Sequence, residues 1–275
     1  LQRYTSSGKT IAIKTSKPNR QVRMKDKVIT TEQALRYSRQ ILLAGFDLDK
    51  QELLINSRIL MIGVGGLGCA AAQYLVAAGI GQLTLVDDDI VETTNLQRQV
   101  LHFENSIGEK KVKSAQRTLN SINHFVDIKT IDTRLSSDEL DALVLQHDLI
   151  LDCSDNLETR NLLNDVCYRS GKPLVSGAAI RMEGQIFCVI PALKTACYAC
   201  VSHFFGEQNL SCVESGVMSP VVGIIGASQA NEAIKILTQF GQQSANKLQV
   251  FDAMSSTWES FKVNPLPQCK TCSAT

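Results

Sequence analysis

Apolar residues along this chain fall into short continuous runs separated by stretches in which they recur every three to four positions, as in buried strands alternating with covering helices. The runs at 58–62 (RILMI), 82–86, 126–131, 148–151 and 173–176 predict strands. Between the first two, Leu67, Ala71, Tyr74, Leu75 and Ala78 mark one face of a helix that Gly79 and Gly81 terminate. Val112, Ala115, Leu119 and Ile122 mark one face of another. Upstream, Thr30 and Gln33 have the spacing of a capping box, opening a helix through Leu43 that places Arg36 and Arg39 close together on a helical face; a short helix follows over 49–55.

From Gly184 the pattern changes, with strands near 185–190, 248–251 and 258–263 on either side of a helix after Pro220. The expectation is an α/β fold: a Rossmann-like, mostly parallel sheet flanked by helices, extended by a mixed or antiparallel C-terminal part. Residues 1–23 lack acidic side chains and apolar periodicity and read as a disordered basic arm, leaving 24–275 as a single domain.

Composition narrows the classes. A net charge of +1 and a pI near 7.7 give no electrostatic case for nucleic-acid binding, and 44% hydrophobic residues argue against disorder. The most apolar stretch is broken by Pro220, Gly223 and Gly226, short of the roughly 18–20 residues a bilayer requires, so no membrane span is expected. Nine cysteines are an odd number, and four of them form two couplets; a reducing cytoplasmic setting is the expectation.

Those couplets, Cys197-x-x-Cys200 and Cys269-x-x-Cys272, offer four thiolates at a spacing that suits tetrahedral zinc. With all four positions filled, the metal has no room for water or substrate, which implies a structural role. The second motif is the turn GVGGLG: Gly63, Gly65, Gly66 and Gly68 let backbone amides approach phosphate at a helix N-terminus. Asp87, about two dozen residues on and at a strand end, is placed to accept from ribose hydroxyls. Turn and carboxylate together indicate a nucleotide, either NAD or ATP. Asn95, Arg98, Gln99 and Lys111 favour ATP, because two cations would neutralise a triphosphate tail; a solvated face is the alternative for Lys111.

Asp152-Cys153-Ser154-Asp155-Asn156 closes another strand at the carboxyl end of the sheet. Asp155 is a candidate magnesium ligand, while Asp152, Asp155 and Asn156 are each candidates to cap the helix that follows. Cys212 lies in a polar loop as either a nucleophile or an inert thiol. The four histidines show no ligand spacing.

With Arg36-Tyr37-Ser38-Arg39-Gln40, GVGGLG, the Asn95 to Gln99 run, the Asp152 to Asn156 run and the couplets in this order, the chain resembles the ubiquitin-activating-like adenylyltransferases of the HesA/MoeB/ThiF family, over about 31–272. The segments 176–185 and 212–217 look most like the molybdopterin-synthase branch rather than the thiamin branch. The resemblance implies ATP-dependent adenylylation of the C-terminal glycine of a small ubiquitin-fold sulfur carrier, MoaD-like in that branch. It implies a nucleotide-binding half near 57–180 and a carrier-binding, zinc-bearing half near 181–275. Asp87 would hold the ribose, Arg98 and Lys111 the phosphates and Asp155 the magnesium, with Asn95, Gln99 and Asn156 completing the pocket. Arg39 would reach into the site of the second subunit of a homodimer. Cys212 aligns with the nucleophile of thioester- or persulfide-forming relatives, although members of this branch are expected to stop at the acyl-adenylate. The alternatives are a thiamin-type adenylyltransferase, an NAD-dependent dehydrogenase and a zinc-stapled, non-enzymatic nucleotide binder.

Overall fold

Strand β1 (Arg58–Ile62) sends its side chains into two separate cores, because successive residues of a strand point to opposite faces. Ile59 and Met61 join a core with Leu75, Leu119 and Ile225. Leu60 joins a second with Val144, Leu163 and Val166. Helices therefore cover both faces, which is why this strand reads as an unbroken apolar run.

The structure, a computed structural model, describes residues 27–203 and 215–273. The arm at 1–23 and Cys212 lie outside those residues. Strand β2 (Gln82–Val86) pairs parallel with β1 through helix α4 (Gly66–Ala78), completing the βαβ unit. Strands β3 (Asp127–Ile131), β4 (Leu149–Asp152) and β5 (Leu174–Ile180) extend the parallel set. Strands β6 (Glu183–Val189), β7 (Lys247–Asp252) and β8 (Thr257–Lys262) then add on antiparallel. Among the described residues the order is β3-β2-β1-β4-β5-β6-β7-β8. Chain order reverses between β1 and β4, so a crevice opens beyond their carboxyl ends.

Helix α5 (Lys111–Ile122) precedes β3, α6 (Ser137–Gln146) links β3 to β4, and α7 (Leu157–Arg169) links β4 to β5. The periodicity missed α6, although Ser136 and Glu139 form a reciprocal capping box that is legible in the sequence. A long helix, Ser219–Thr238, follows β6 and the short helix α8 (Tyr198–Ser202); as α9 it packs on α4, β5 and β6. Leu75, wholly buried in that contact layer, is a position where truncation to alanine costs about 2–5 kcal/mol. Among the described residues no helix is long and apolar enough to cross a membrane.

Three expectations need correction. The N-terminal helix does not run unbroken to Leu43. Its capping box forms, but α1 (Thr31–Arg36) ends at Tyr37 and α2 (Ser38–Ile41) begins after it. Tyr37 is held by tertiary contacts: it is buried, its hydroxyl accepts from Asn123 Nδ2 at 2.9 Å, and its ring fills the space where a Gly79 side chain would stand. Tyr74 is 60% exposed and does not belong to the buried face of α4. Gly81 does not terminate that helix: left-handed Gly79 (φ 85°) caps it, and Gly81 allows its backbone to approach the Ile55 carbonyl at the end of α3 (Asp47–Ile55).

Candidate active site

The glycine turn leaves β1 and enters α4 directly against the loop that leaves β4. Gly63 has φ +94°, and a Cβ there would lie 2.6 Å from the Cys153 carbonyl oxygen. At Gly68 a Cβ would meet the Gly63 carbonyl at 2.1 Å. Close packing alone therefore demands these two glycines. At Gly66 a Cβ would stand 3.1 Å from a Val222 methyl and 3.4 Å from Arg98 Cγ. Gly65 is different: its φ is −81°, and a Cβ would find only Gln99 Nε2 at 3.7 Å. The fold does not require glycine at this position. The open cradle sits at the N-cap of α4, where no side chain caps the helix and the first turn holds no acidic residue. Uncapped amides and the helix dipole favour an anion there.

Around this cradle the structure gathers most of the residues expected from sequence. Asp87 accepts from the Val64 N–H at 2.7 Å and from the Asp89 N–H at 3.0 Å. Burial raises its carboxyl above the ordinary aspartate value, opposed by Lys111 and by those N–H groups. Lys111 is buried, not on a solvated face, and its Nζ lies 2.7 Å from Asp89 Oδ2. Its neighbours are the solvated lysines: Lys110 reaches the Asp88 carbonyl and Lys113 the Thr130 hydroxyl. Asn95 is buried and accepts from the Glu92 N–H. Arg98 donates to the Thr94 carbonyl at 3.1 Å. Gln99 is buried with its Nε2 toward the open glycine, and its Oε1 has no hydrogen-bond partner. A buried unpaired amide oxygen costs about 1–3 kcal/mol, the mark of a group awaiting a partner.

On the β4 side the three capping candidates separate. Asn156 caps α7, accepting from the Thr159 N–H at 2.9 Å. Asp152 is wholly buried and accepts from the Ser154 N–H and hydroxyl and from the Ser176 hydroxyl. Asp155, in the loop after β4, is exposed and does not cap the helix. Sequence reading missed two buried residues that hold this loop. Arg160 donates to the Ser154 and Gly177 carbonyls at 2.7 and 3.1 Å, with Nε 3.4 Å from Asp152 Oδ2 but not aligned for a hydrogen bond. Gln229 of α9 donates to the Asp152 carbonyl at 2.8 Å. For Arg160 a signal existed, since a residue four positions past the cap lies over the helix N-terminus; Gln229 comes from 77 residues away and carried none. Arg39 is exposed on α2, and no described hydrogen bond or ion pair joins it to the glycine turn.

Beside the second core the four couplet cysteines meet, their sulfur atoms within 4.8 Å of one another. Cys197 Sγ lies 4.0 Å from Cys200 and 3.5 Å from Cys269, and Cys200 Sγ lies 3.5 Å from Cys272. A tetrahedral zinc with bonds of about 2.3 Å has sulfur–sulfur edges of about 3.8 Å, so the donor set fits such an ion. Burial pushes the Cys197 thiol up to about 11; at Cys269 burial acts the same way, but the N–H groups of Cys272 and Thr271 bring the thiol down to about 7. Four thiolates this close require a cation to coexist. The Leu266 N–H donates to Cys200 Sγ at 3.4 Å, a supporting bond of the kind that orients metal ligands.

A fold with this crevice is shared with solved structures. The chain superposes on Escherichia coli MccB solved with ATP with a TM-score of 0.76 at 25% identity, covering 86% of this chain and 74% of that one. The microcin C7 biosynthetic enzyme MccB in complex with N-formylated MccA gives 0.77 at 24% identity, over the same shares. In sequence, the molybdopterin-synthase adenylyltransferase of Escherichia coli is 49% identical over 244 residues, 89% of this chain and 98% of that protein. Its Salmonella typhimurium counterpart is 48% identical over the same span. The family model described as the ThiF family matches residues 37–272, and with it the glycine turn, both loops of the crevice and the four cysteines: the chain belongs to the ThiF family.

Proposed function

We propose that the protein adenylylates the C-terminal glycine of a small, MoaD-like ubiquitin-fold sulfur carrier in molybdenum cofactor biosynthesis. The observation that carries this reading is the open cradle at Gly65, at an uncapped helix N-terminus with Gln99 Nε2 beside it and with the Asp87 carboxylate bonded to the Val64 N–H of the same turn. The names of the relatives supply the substrate class.

In this reading ATP lies with its ribose on Asp87 and its phosphates on the α4 amides and the side chains of Asn95, Arg98, Gln99 and Lys111. The carrier carboxylate, already ionised, attacks the α-phosphorus. The bond to the bridging oxygen breaks, and pyrophosphate leaves with the electron pair. No protein base is required; alignment and relief of charge repulsion suffice. Asp155 is the carboxylate that would hold Mg²⁺, as hard oxygen ligands do, with Asn156 beside it. Cys197, Cys200, Cys269 and Cys272 would hold Zn²⁺, which supplies folding energy to the C-terminal segment and no catalytic step.

The nucleotide-binding half is 57–180 and the carrier-binding half 181–275. Trp258, half exposed on edge strand β8 and packed against Phe251, gives the second half an apolar surface for the carrier. Leu35 and Leu42, both more than 70% exposed on α1 and beside α2, support a homodimer in which Arg39 reaches the other copy's site.

Mass spectrometry of a MoaD-type carrier incubated with the protein and Mg-ATP tests the reading. The expected product is carrier bearing one added AMP, with pyrophosphate released. Pyrophosphate release without a carrier adduct would reject it.

A further inference from the structure

Behind the glycine turn sits a buried polar cluster that the adenylation reading leaves unused: Cys69 (0% exposed), His102 (4%) and Ser114 (0%). It converges on one residue of the turn. The Val64 carbonyl lies 3.3 Å from His102 Nε2 and 3.4 Å from Cys69 Sγ, while the Val64 N–H donates to Asp87. Burial pushes the Cys69 thiol up to about 12, so it remains an S–H donor. A carbonyl only accepts, so Nε2 of His102 carries the hydrogen. In the neutral ring Nδ1 is then an acceptor, and the Ser114 hydroxyl 3.0 Å away is its donor. Burial lowers the His102 pKa, in keeping with a neutral imidazole. Ser114 belongs to α5, the helix that opens with Lys111.

The peptide joining Val64 to Gly65 has two ends. In a trans peptide the C=O and N–H point in opposite directions. With the Val64 oxygen drawn to the buried side, the Gly65 N–H is directed away from His102, at the uncapped N-terminus of α4. We infer that His102 is a positioning residue for phosphate recognition: by donating to the Val64 carbonyl it orients the Gly65 N–H as a donor to a nucleotide phosphate. The inference rests on the reading that ATP occupies this turn.

The test compares a ligand that has phosphates with one that has none. Mg-ATP affinity is measured by calorimetry, and adenosine by competition, in the full chain and in His102→Phe, His102→Gln and Ser114→Ala. His102→Phe keeps a ring but removes the donor, and is expected to weaken Mg-ATP about tenfold, the scale of one oriented hydrogen bond, with adenosine unchanged. His102→Gln restores an N–H and should stay within about threefold of the parent. Equal weakening of ATP and adenosine, or unchanged ATP affinity in His102→Phe, would overturn the inference. Should His102→Phe fail to fold, Ser114→Ala decides: about threefold weaker ATP with adenosine unchanged supports the role, and no difference between the ligands rejects it. A folded parent protein that binds no Mg-ATP would instead sink the adenylation reading on which this rests.

Discussion

The two halves of this sheet are built on opposite terms. In the parallel half, β1 and β4 are buried on both faces, and their chemistry emerges only at the carboxyl ends, through backbone amides and a few side chains. In the antiparallel half, every residue of β8 is exposed, and four thiols from couplets 72 residues apart in sequence meet beside the C-terminal segment. The difference teaches where precision resides. A crevice between covered strands is preorganised by packing, whereas an open edge strand offers surface, and the chain that follows it carries a donor set able to hold a metal cross-link.

The strongest way to sharpen this contrast is Asp155→Ala. The side chain is exposed and caps nothing, so the fold should survive while carrier-dependent pyrophosphate release falls roughly 10²–10³-fold. Mixing this variant with Arg39→Ala should restore part of the activity if subunits share sites. Near-parental rates in either variant alone would remove its assigned role.

Next comes a pair of substitutions within one motif. Gly68→Ala forces a Cβ onto the Gly63 carbonyl and should destabilise by about 1–3 kcal/mol, read in a urea titration. Gly65→Ala should leave stability within about 0.5 kcal/mol yet weaken ATP about tenfold, because its methyl enters the cradle. If both variants lost stability equally, the division between packing and ligand glycines would fail.

In the antiparallel half, stripping metal with a chelator is expected to lower Tm by roughly 5–10 °C before ATP affinity changes. An earlier loss of nucleotide binding would show that the two halves do not act separately.

The smallest effect is acid sensitivity. Burial lowers the pKa of His102 and of His147, which pairs with Thr84 at 2.8 Å. A histidine whose folded pKa lies below its unfolded value binds fewer protons when folded, so stability declines as pH falls through about 6.5 and levels off below the folded pKa. Thermal melts between pH 7.5 and 5 in His147→Gln should show a shallower decline than the parent. An identical slope would remove His147 from the account.

Much of the frame was legible because its information is local. The runs at 58–62 and 82–86 coincide with β1 and β2, the Thr30–Gln33 box forms, and the spacing of the couplets predicted a cluster that does assemble. The Tyr37 break was not legible, since its cause is a hydrogen bond to Asn123, 86 residues away. Burial of Lys111 was hidden for a similar reason: Lys110 and Lys113 flank it, and its pairing with Asp89 depends on how α5 meets the end of β2.

Taken alone, the sequence determined the alternation of strands and helices, the glycine turn at a strand end and a four-thiolate donor set, because each depends on residue type at short, fixed spacing. Tertiary structure decided which of Asp152, Asp155 and Asn156 caps a helix, which glycines serve packing and which leaves an open cradle, and that His102 grips Val64 across 38 residues. Those distinctions arise where segments remote in sequence meet, and the energy of such a contact belongs to neither segment by itself.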